Sequence, residues 1–308
     1  MPLALGDVRS DRLRVVVERR GGTPNLLAEP DLDAAETSFS RYLRAVAAGN
    51  RSLVGIPAFV MTGFRQRCII TTQPSPLREL AQLGGCRIGL TGWADSGNIW
   101  TRALLRREGV EIPDVQWLVG PLTAQHPVED RIGPGGAPTN VAHTPAGRSL
   151  VEMLLTGDLD AVMTLFMPPG FHGLNSALRP LLTDFSIREV EYFRSVGFVP
   201  GMHLITVRSA MTDRHPWVGS DLLELLRASK SQWVSDRAKL VDAGPWAISE
   251  VDRTVKTFGT ADWMAYGENE SASMVAAFCK EMQEQGILSY AVDPSLVFQE
   301  YRRLAGAM

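Results

Sequence analysis

Four stretches of this chain set hydroxyl, amide, carboxylate or guanidinium groups beside turns that lead toward helices: Gly6-Asp7-Val8-Arg9, Glu36-Thr37-Ser38-Phe39-Ser40-Arg41-Tyr42, Ser96-Gly97-Asn98 and Thr164-Leu165-Phe166-Met167-Pro168-Pro169. The first N–H groups of a helix lack partners inside it and carry the positive end of the helix dipole, so a carboxylate or phosphate is favoured there. Ser38, Ser40, Ser96 and Asn98 offer side-chain donors at two such starts. Taken singly, each start reads equally as plain helix capping, because Ser and Asn are preferred caps. Arg65 precedes an apolar stretch, and Arg102 lies one helical turn beyond Asn98 on the same helix face. A guanidinium suits a carboxylate through two parallel bonds, although either arginine alone also fits a solvated surface. His203 opens the apolar run HLITVR, where an imidazole titrating near neutrality could move a proton or serve as a hydrogen-bonded hinge.

These groups need a frame. Short apolar runs at 3–6, 34–37, 53–59, 68–72, 87–90, 115–118, 161–165 and 203–208 predict strands. Helical patterns fall at 39–48, 76–83, 98–108, 149–156, 218–243 and 271–285. Their alternation predicts an α/β protein built from βαβ units with a mostly parallel sheet, in which ligands bind at the carboxyl ends of strands. Residues 120–147, rich in Pro and Gly, read as a long loop. Trp233 and Trp246 read as residues that pack a helix onto a sheet.

Composition removes several classes of function. The chain has 308 residues, 45% hydrophobic and 21% charged, with 31 basic and 34 acidic side chains. That suits two lobes of ordinary domain size. The net charge of −3, without a basic stripe, argues against a nucleic-acid partner. No apolar run is long enough for a membrane span, and MPLALGDVRSDRLRV lacks the form of a secretory signal. Cys68, Cys86 and Cys279 are odd in number and widely spaced, which fits a reducing compartment and a cytoplasmic protein. The five histidines show neither HxxxH nor HExxH spacing, so spacing predicts no metal site. There is no GxSxG elbow, P-loop or GxGxxG, and so no motif for a serine hydrolase, an NTPase or a dinucleotide enzyme.

The succession ALGD, ETSFSRYL, IPAFVMTGFR, IGLTGWADSGNIWTRALLRREGV, SLVEMLLTGDLDAV and VPGMHLITVRSAMTDRHPWV resembles the 4,5-dihydroxyphthalate decarboxylase family over nearly the whole chain. The resemblance implies the two-lobed α/β fold of periplasmic solute-binding proteins (type II), with two mixed sheets flanked by helices and a ligand cleft between lobes. Lobe 1 would comprise 1–86 and 204–308 and lobe 2 would comprise 87–203, with crossings near 86–88 and 199–204. Asp7, Arg9, Ser38, Ser40 and Arg65 would line one wall. Trp93, Ser96, Asn98, Trp100 and Arg102 would line the other.

The implied reaction removes one carboxylate from 4,5-dihydroxyphthalate to give protocatechuate and carbon dioxide, as part of phthalate catabolism, without a cofactor or metal. His203 would protonate the ipso carbon. Arg65 or Arg102 would anchor the remaining carboxylate, and the Ser38/Ser40 turn, Asp7 or Glu36 would serve the ring hydroxyl. Were a metal to take part, His203 with Asp7 or Glu36 would be the first ligands to test. The partner is a small aromatic carboxylate, with no nucleic acid and no membrane, and homo-oligomerisation stays open. The 120–147 segment matches nothing in the family, the Trp-Ala-Asp-Ser-Gly turn at 93–97 departs from its pattern, and residues 10–27 match it only loosely. Two other readings remain: a solute receptor for a small aromatic or anionic ligand, and a sister enzyme acting on another aromatic acid, such as those of the alternative menaquinone pathway or thiamine-precursor synthesis.

Overall fold

The computed structural model describes residues 2–126, 132, 138–239, 243–259, 262–264 and 266–306. They form two compact units: Met1–Thr62, Gly201–Val275 and Asp293–Met308 make the first, and Gly63–Pro200 with Ala276–Val292 the second. The expected α/β class with two sheets flanked by helices is present. The division falls at 62/63 and 200/201 rather than at 86/87 and 203/204. The reason is strand pairing: residues 69–72 hydrogen-bond into the second sheet and take the preceding stretch with them.

In the first unit, strand β9 (Gly201–Arg208) lies between β1 (Ala34–Ser38) and β2 (Leu53–Thr62). Both ladders are antiparallel, so this sheet is neither parallel nor mixed as expected. The Met202, Leu204 and Thr206 face of β9 is buried, while His203 and Ile205 on the other face are partly exposed, as an antiparallel sheet allows. Pro57 lacks an N–H, and the β2–β9 register slips between Ile56 and Phe59, around it. Its carbonyl instead accepts from Gly267 N–H at 2.7 Å. Helix α2 (Phe39–Ala47) leaves β1 directly and buries Phe39, Tyr42, Leu43 and Val46. Gly55 is required opposite Tyr42, since a Cβ there would meet the ring at 2.6 Å.

The expected opening strand at 3–6 is instead a single helical turn, α1 (Pro2–Leu5). Proline suits a first helical turn, Gly6 at φ +79 ends it, and Leu3 N–H donates to Ser229 Oγ of the long helix Val218–Lys239. A four-residue apolar run carries no period that separates strand from helix.

The second unit holds a six-stranded sheet in the order β6-β5-β4-β7-β3-β8. Here β3 is Ile69–Thr72, β4 Arg87–Leu90, β5 Gln116–Val119, β6 Val141–His143, β7 Ala161–Met163 and β8 Leu178–Pro180. The β4, β5, β6 and β7 pairings are parallel and β3 is antiparallel to both neighbours. Leu90, Trp93, Leu105 and Trp117 share one core cluster, and Ile70, Leu150, Leu154 and Val162 share a second. The sheet is therefore packed on both faces, as a parallel core demands. Helix α3 (Ser96–Arg107) follows β4. The expected helix at 76–83 is only a short turn, Leu80–Leu83, held by a reciprocal Glu79/Gln82 cap. The expected loop at 120–147 lies partly outside the described residues, and its described part includes β6. Helices Phe185–Val196 and Ala247–Phe258 were not among those expected.

Candidate functional site

In the first unit, β1 and β9 bring His203 to Glu36. Ser38 lies directly opposite His203 and Glu36 opposite Ile205, so the imidazole and carboxylate project from one face at diagonal positions. His203 Nδ1 is 2.6 Å from Glu36 Oε1, with side-chain exposures of 22% and 44%. With Nδ1–H held by the carboxylate, Nε2 is the ring nitrogen left to exchange a proton. This places two of the three residues expected to carry catalysis together.

The third does not join them. Asp7 is exposed after α1, its backbone N–H bonded to Pro2 O at 3.0 Å, and it makes no hydrogen bond or ion pair with Glu36 or His203. Arg9 is likewise exposed and folds its Nε back to Gly6 O at 3.1 Å. Neither residue follows a strand, because the run expected as one is a helical turn packed on the helix Val218–Lys239. Among the described residues there is no group of three or more His, Cys, Asp and Glu side chains able to hold a metal ion.

The Ser38 and Ser40 hydroxyls meet at 3.0 Å at the start of α2, and Ser38 makes no side-chain capping bond there. Behind them, the Thr37 and Thr206 hydroxyls meet at 2.7 Å in the interior, a β1–β9 link that sequence reasoning missed. Tyr42 accepts from Gly55 N–H and donates to Val297 O, and burial pushes its phenol up to about 12.

In the second unit, the turn from β4 to α3 is braced from within. Buried Asn98 donates from Nδ2 to Gly92 O at 2.9 Å. Arg102, on the same helix face, donates from Nη2 to Trp93 O at 2.7 Å and from Nε to Gln285 Oε1 at 2.8 Å. Its guanidinium stacks 3.9 Å from the Trp93 ring, which packs edge-on against Trp117. Arg102 is fully buried, burial pulls its value down to about 9, and its Nη1 has no partner among the described residues. Trp100 is 2% exposed against Phe198 and Phe278. Trp93, Trp100 and Arg102 thus belong to the core rather than to a ligand wall. The helix face shared by Asn98 and Arg102 was read correctly, but it looks inward, toward the turn itself.

Arg65 is also buried, and its surroundings differ. Its Nε donates to Gly97 O and Thr101 Oγ1, both at 3.1 Å, in the first turn of α3. Thr101 donates in turn to Gly97 O at 2.8 Å. Burial lowers the Arg65 guanidinium below its ordinary value, opposed in part by the negative charge of Asp95. A buried cation and a helix N-terminus, with buried Ser96 alongside, thus meet in the first turn of α3. The spacing Gly97–Thr101 could have shown Thr101 one turn on; nothing in the sequence pointed to Gln285, 183 residues from Arg102.

No family model matches the chain. It is similar to 4,5-dihydroxyphthalate decarboxylase of Comamonas testosteroni, with 25% identity over 272 residues, covering 87% of this chain and 82% of that protein. A protein of the same name from Pseudomonas putida is 27% identical over 169 residues, covering 54% of this chain and 66% of its relative. Among solved structures, the periplasmic aliphatic sulphonate binding protein SsuA from Escherichia coli matches 89% of this chain and 78% of its own, with a TM-score of 0.49 and 16% identity. The desulfurization enzyme DSZB matches 89% and 86%, with a TM-score of 0.47 and 15% identity. Among the described residues, no helix is long and apolar enough to cross a membrane.

Proposed function

We propose that this protein is a carboxy-lyase that decarboxylates a hydroxylated aromatic acid of the 4,5-dihydroxyphthalate kind, releasing carbon dioxide and the ring with one carboxylate fewer. The observation that carries the reading is the 2.6 Å Glu36–His203 pair, in a chain similar over 272 residues to a decarboxylase of that substrate.

The chemistry needs a proton delivered to carbon. A ring hydroxyl para to the leaving carboxylate pushes electron density to the ipso carbon. His203, protonated on both nitrogens, gives its Nε2 proton to that carbon. The ring then loses aromaticity, and it recovers it when the C–C bond breaks and its electron pair returns to the ring as carbon dioxide leaves. A proton from water restores the imidazolium, so one proton is consumed per turnover. Glu36 holds the ring orientation without itself reaching carbon, as the carboxylate of a hydrogen-bonded acid–base pair does. The Ser38/Ser40 hydroxyls are the groups we assign to the ring oxygen, where donors to a developing phenolate lower the barrier. Arg102 is given no part in substrate binding, since it is fully buried and held by Trp93 O and Gln285 Oε1.

We place the protein in a cytoplasm, supported by its three cysteines, odd in number and widely spaced. The test is to incubate the purified protein with 4,5-dihydroxyphthalate and to follow carbon dioxide together with protocatechuate. Stoichiometric release of both is expected. Saturable binding of the diacid without turnover would replace the enzyme by a receptor, and turnover of a different aromatic acid alone would move the substrate to a sister enzyme.

A further inference from the structure

Tyr266 of the first unit is fixed at its backbone and its ring, and its hydroxyl is left over. The backbone bridges antiparallel to Ala58 of β2, the N–H of Gly267 donates to Pro57 O at 2.7 Å, and the Tyr266 carbonyl accepts from Arg227 Nη2 at 3.2 Å. The ring packs in the core cluster that contains Ile56 and Ala58, and Lys230 Nζ lies 4.6 Å from its centroid. Lys230 is held in turn by an ion pair with Asp262. Tyr266 is only 9% exposed, and a tyrosine so buried ordinarily gives its O–H a partner. Tyr42 follows that rule by donating to Val297 O. The Tyr266 hydroxyl has no hydrogen-bond partner among the described residues.

The sheet register sets this tyrosine on the face that carries the Glu36–His203 pair. Ile205 of β9 pairs with Glu36 on one side and with Ile56 on the other, so these three side chains share a face. His203, two residues from Ile205, and Ser38, opposite His203, lie on it as well. Ile205 packs against the cluster that holds Tyr266. Burial above all, then the negative charges of Asp262 and Glu36, push the Tyr266 phenol up to about 12. The phenol is therefore within electrostatic reach of the pair, and near neutrality it is a neutral donor. An aromatic acid on this face meets hydroxyls from two sides: Ser38 and Ser40 from β1 and the start of α2, and Tyr266 from beyond β2.

On the decarboxylase reading above, on which this step rests, we propose that Tyr266 reads the second ring hydroxyl of a vicinal dihydroxy acid, donating its O–H to that oxygen while Ser38 and Ser40 serve the hydroxyl para to the leaving carboxylate. The test compares 4,5-dihydroxyphthalate with 4-hydroxyphthalate, which keeps the electron-releasing hydroxyl and lacks its neighbour. The native chain should favour the dihydroxy acid in kcat/KM by about fivefold or more, the worth of one neutral hydrogen bond. Tyr266→Phe, which keeps the ring and with it the melting temperature, should lose about fivefold on the dihydroxy acid and nothing on the monohydroxy acid, erasing the preference. Calorimetric Kd values for the two acids should show the same selective loss, so the outcome does not depend on turnover. An equal loss on both acids would make Tyr266 a packing residue or a contact of another group, and overturns the proposal. So does no loss on either acid, or a native protein without the preference. Native turnover beside an indifferent Tyr266→Phe sinks this proposal alone. A native protein that neither binds nor turns over either acid removes the decarboxylase reading, and this proposal with it.

Discussion

Replacing Glu36 by Gln removes the negative charge beside His203 while keeping an oxygen that can accept from Nδ1–H. Hydrogen bonds to charged groups contribute roughly 1.5–3 kcal/mol, against about 1 kcal/mol for a neutral bond. At 2.6 Å this bond is short, but water reaches both partners, with 22% and 44% of their side chains exposed, so the lower end applies. The charge itself is then worth about 0.5 kcal/mol to the pair, and kcat should fall roughly twofold. Glu36→Ala, which loses the acceptor as well, should cost roughly 1.5 kcal/mol, or about tenfold. The assay is initial-rate carbon dioxide release over a range of diacid concentrations, with kcat and KM resolved and thermal unfolding run alongside. Because Glu36 acts through His203, KM should move little. A kcat unchanged in both variants would refute the positioning role. A rise in KM at constant kcat would make Glu36 a substrate contact instead.

Three further outcomes follow from the geometry. Asp160 accepts from the Arg87 N–H at 2.8 Å and from its guanidinium at 3.1 and 2.9 Å; burial pushes its carboxyl up, but these bonds outweigh burial and hold it below the ordinary value. A depressed carboxyl stabilises the fold above its unfolded value and loses that contribution as pH falls through the folded one. Asp160→Asn should therefore be less stable by about 1 kcal/mol near neutrality, with the gap closing below about pH 4 in denaturant titrations. Gly97→Ala would set a methyl group 3.0 Å from the Arg65 guanidinium, which is buried and cannot swing away. Despite alanine's better helix propensity, a net loss of about 1–2 kcal/mol is expected in urea unfolding. Arg102→Met should destabilise by about 2–4 kcal/mol, because it strands Trp93 O and Gln285 Oε1 in the interior, yet KM of the folded fraction should stay constant. A selective KM increase would return Arg102 to the ligand.

The parts of the fold visible in the sequence were those with a local signature. HLITVR, RIGL and the step from ETS into FSRYL carry strand or helix patterning within themselves, and the structure places elements there. The convergence of His203 with Glu36 could only be suspected, because their pairing spans 167 residues and is set by an antiparallel register that no local pattern encodes. The arginines show the opposite failure. Arg65 and Arg102 look in sequence like solvated or ligand-facing cations, whereas backbone carbonyls, Thr101 and Gln285 make room for them in the interior. The division at 62/63 escaped for a related reason: IITT is an ordinary apolar run, and only its pairing with β7 and β8 assigns it to the second sheet.

The most direct test of the account is the turnover of His203→Gln with 4,5-dihydroxyphthalate, measured as carbon dioxide release at saturating substrate, beside binding of the diacid by calorimetry. Loss of at least a hundredfold in kcat, with binding and melting temperature close to the native protein, is the predicted result. Turnover within a few-fold of native would contradict it and remove His203 as the proton donor.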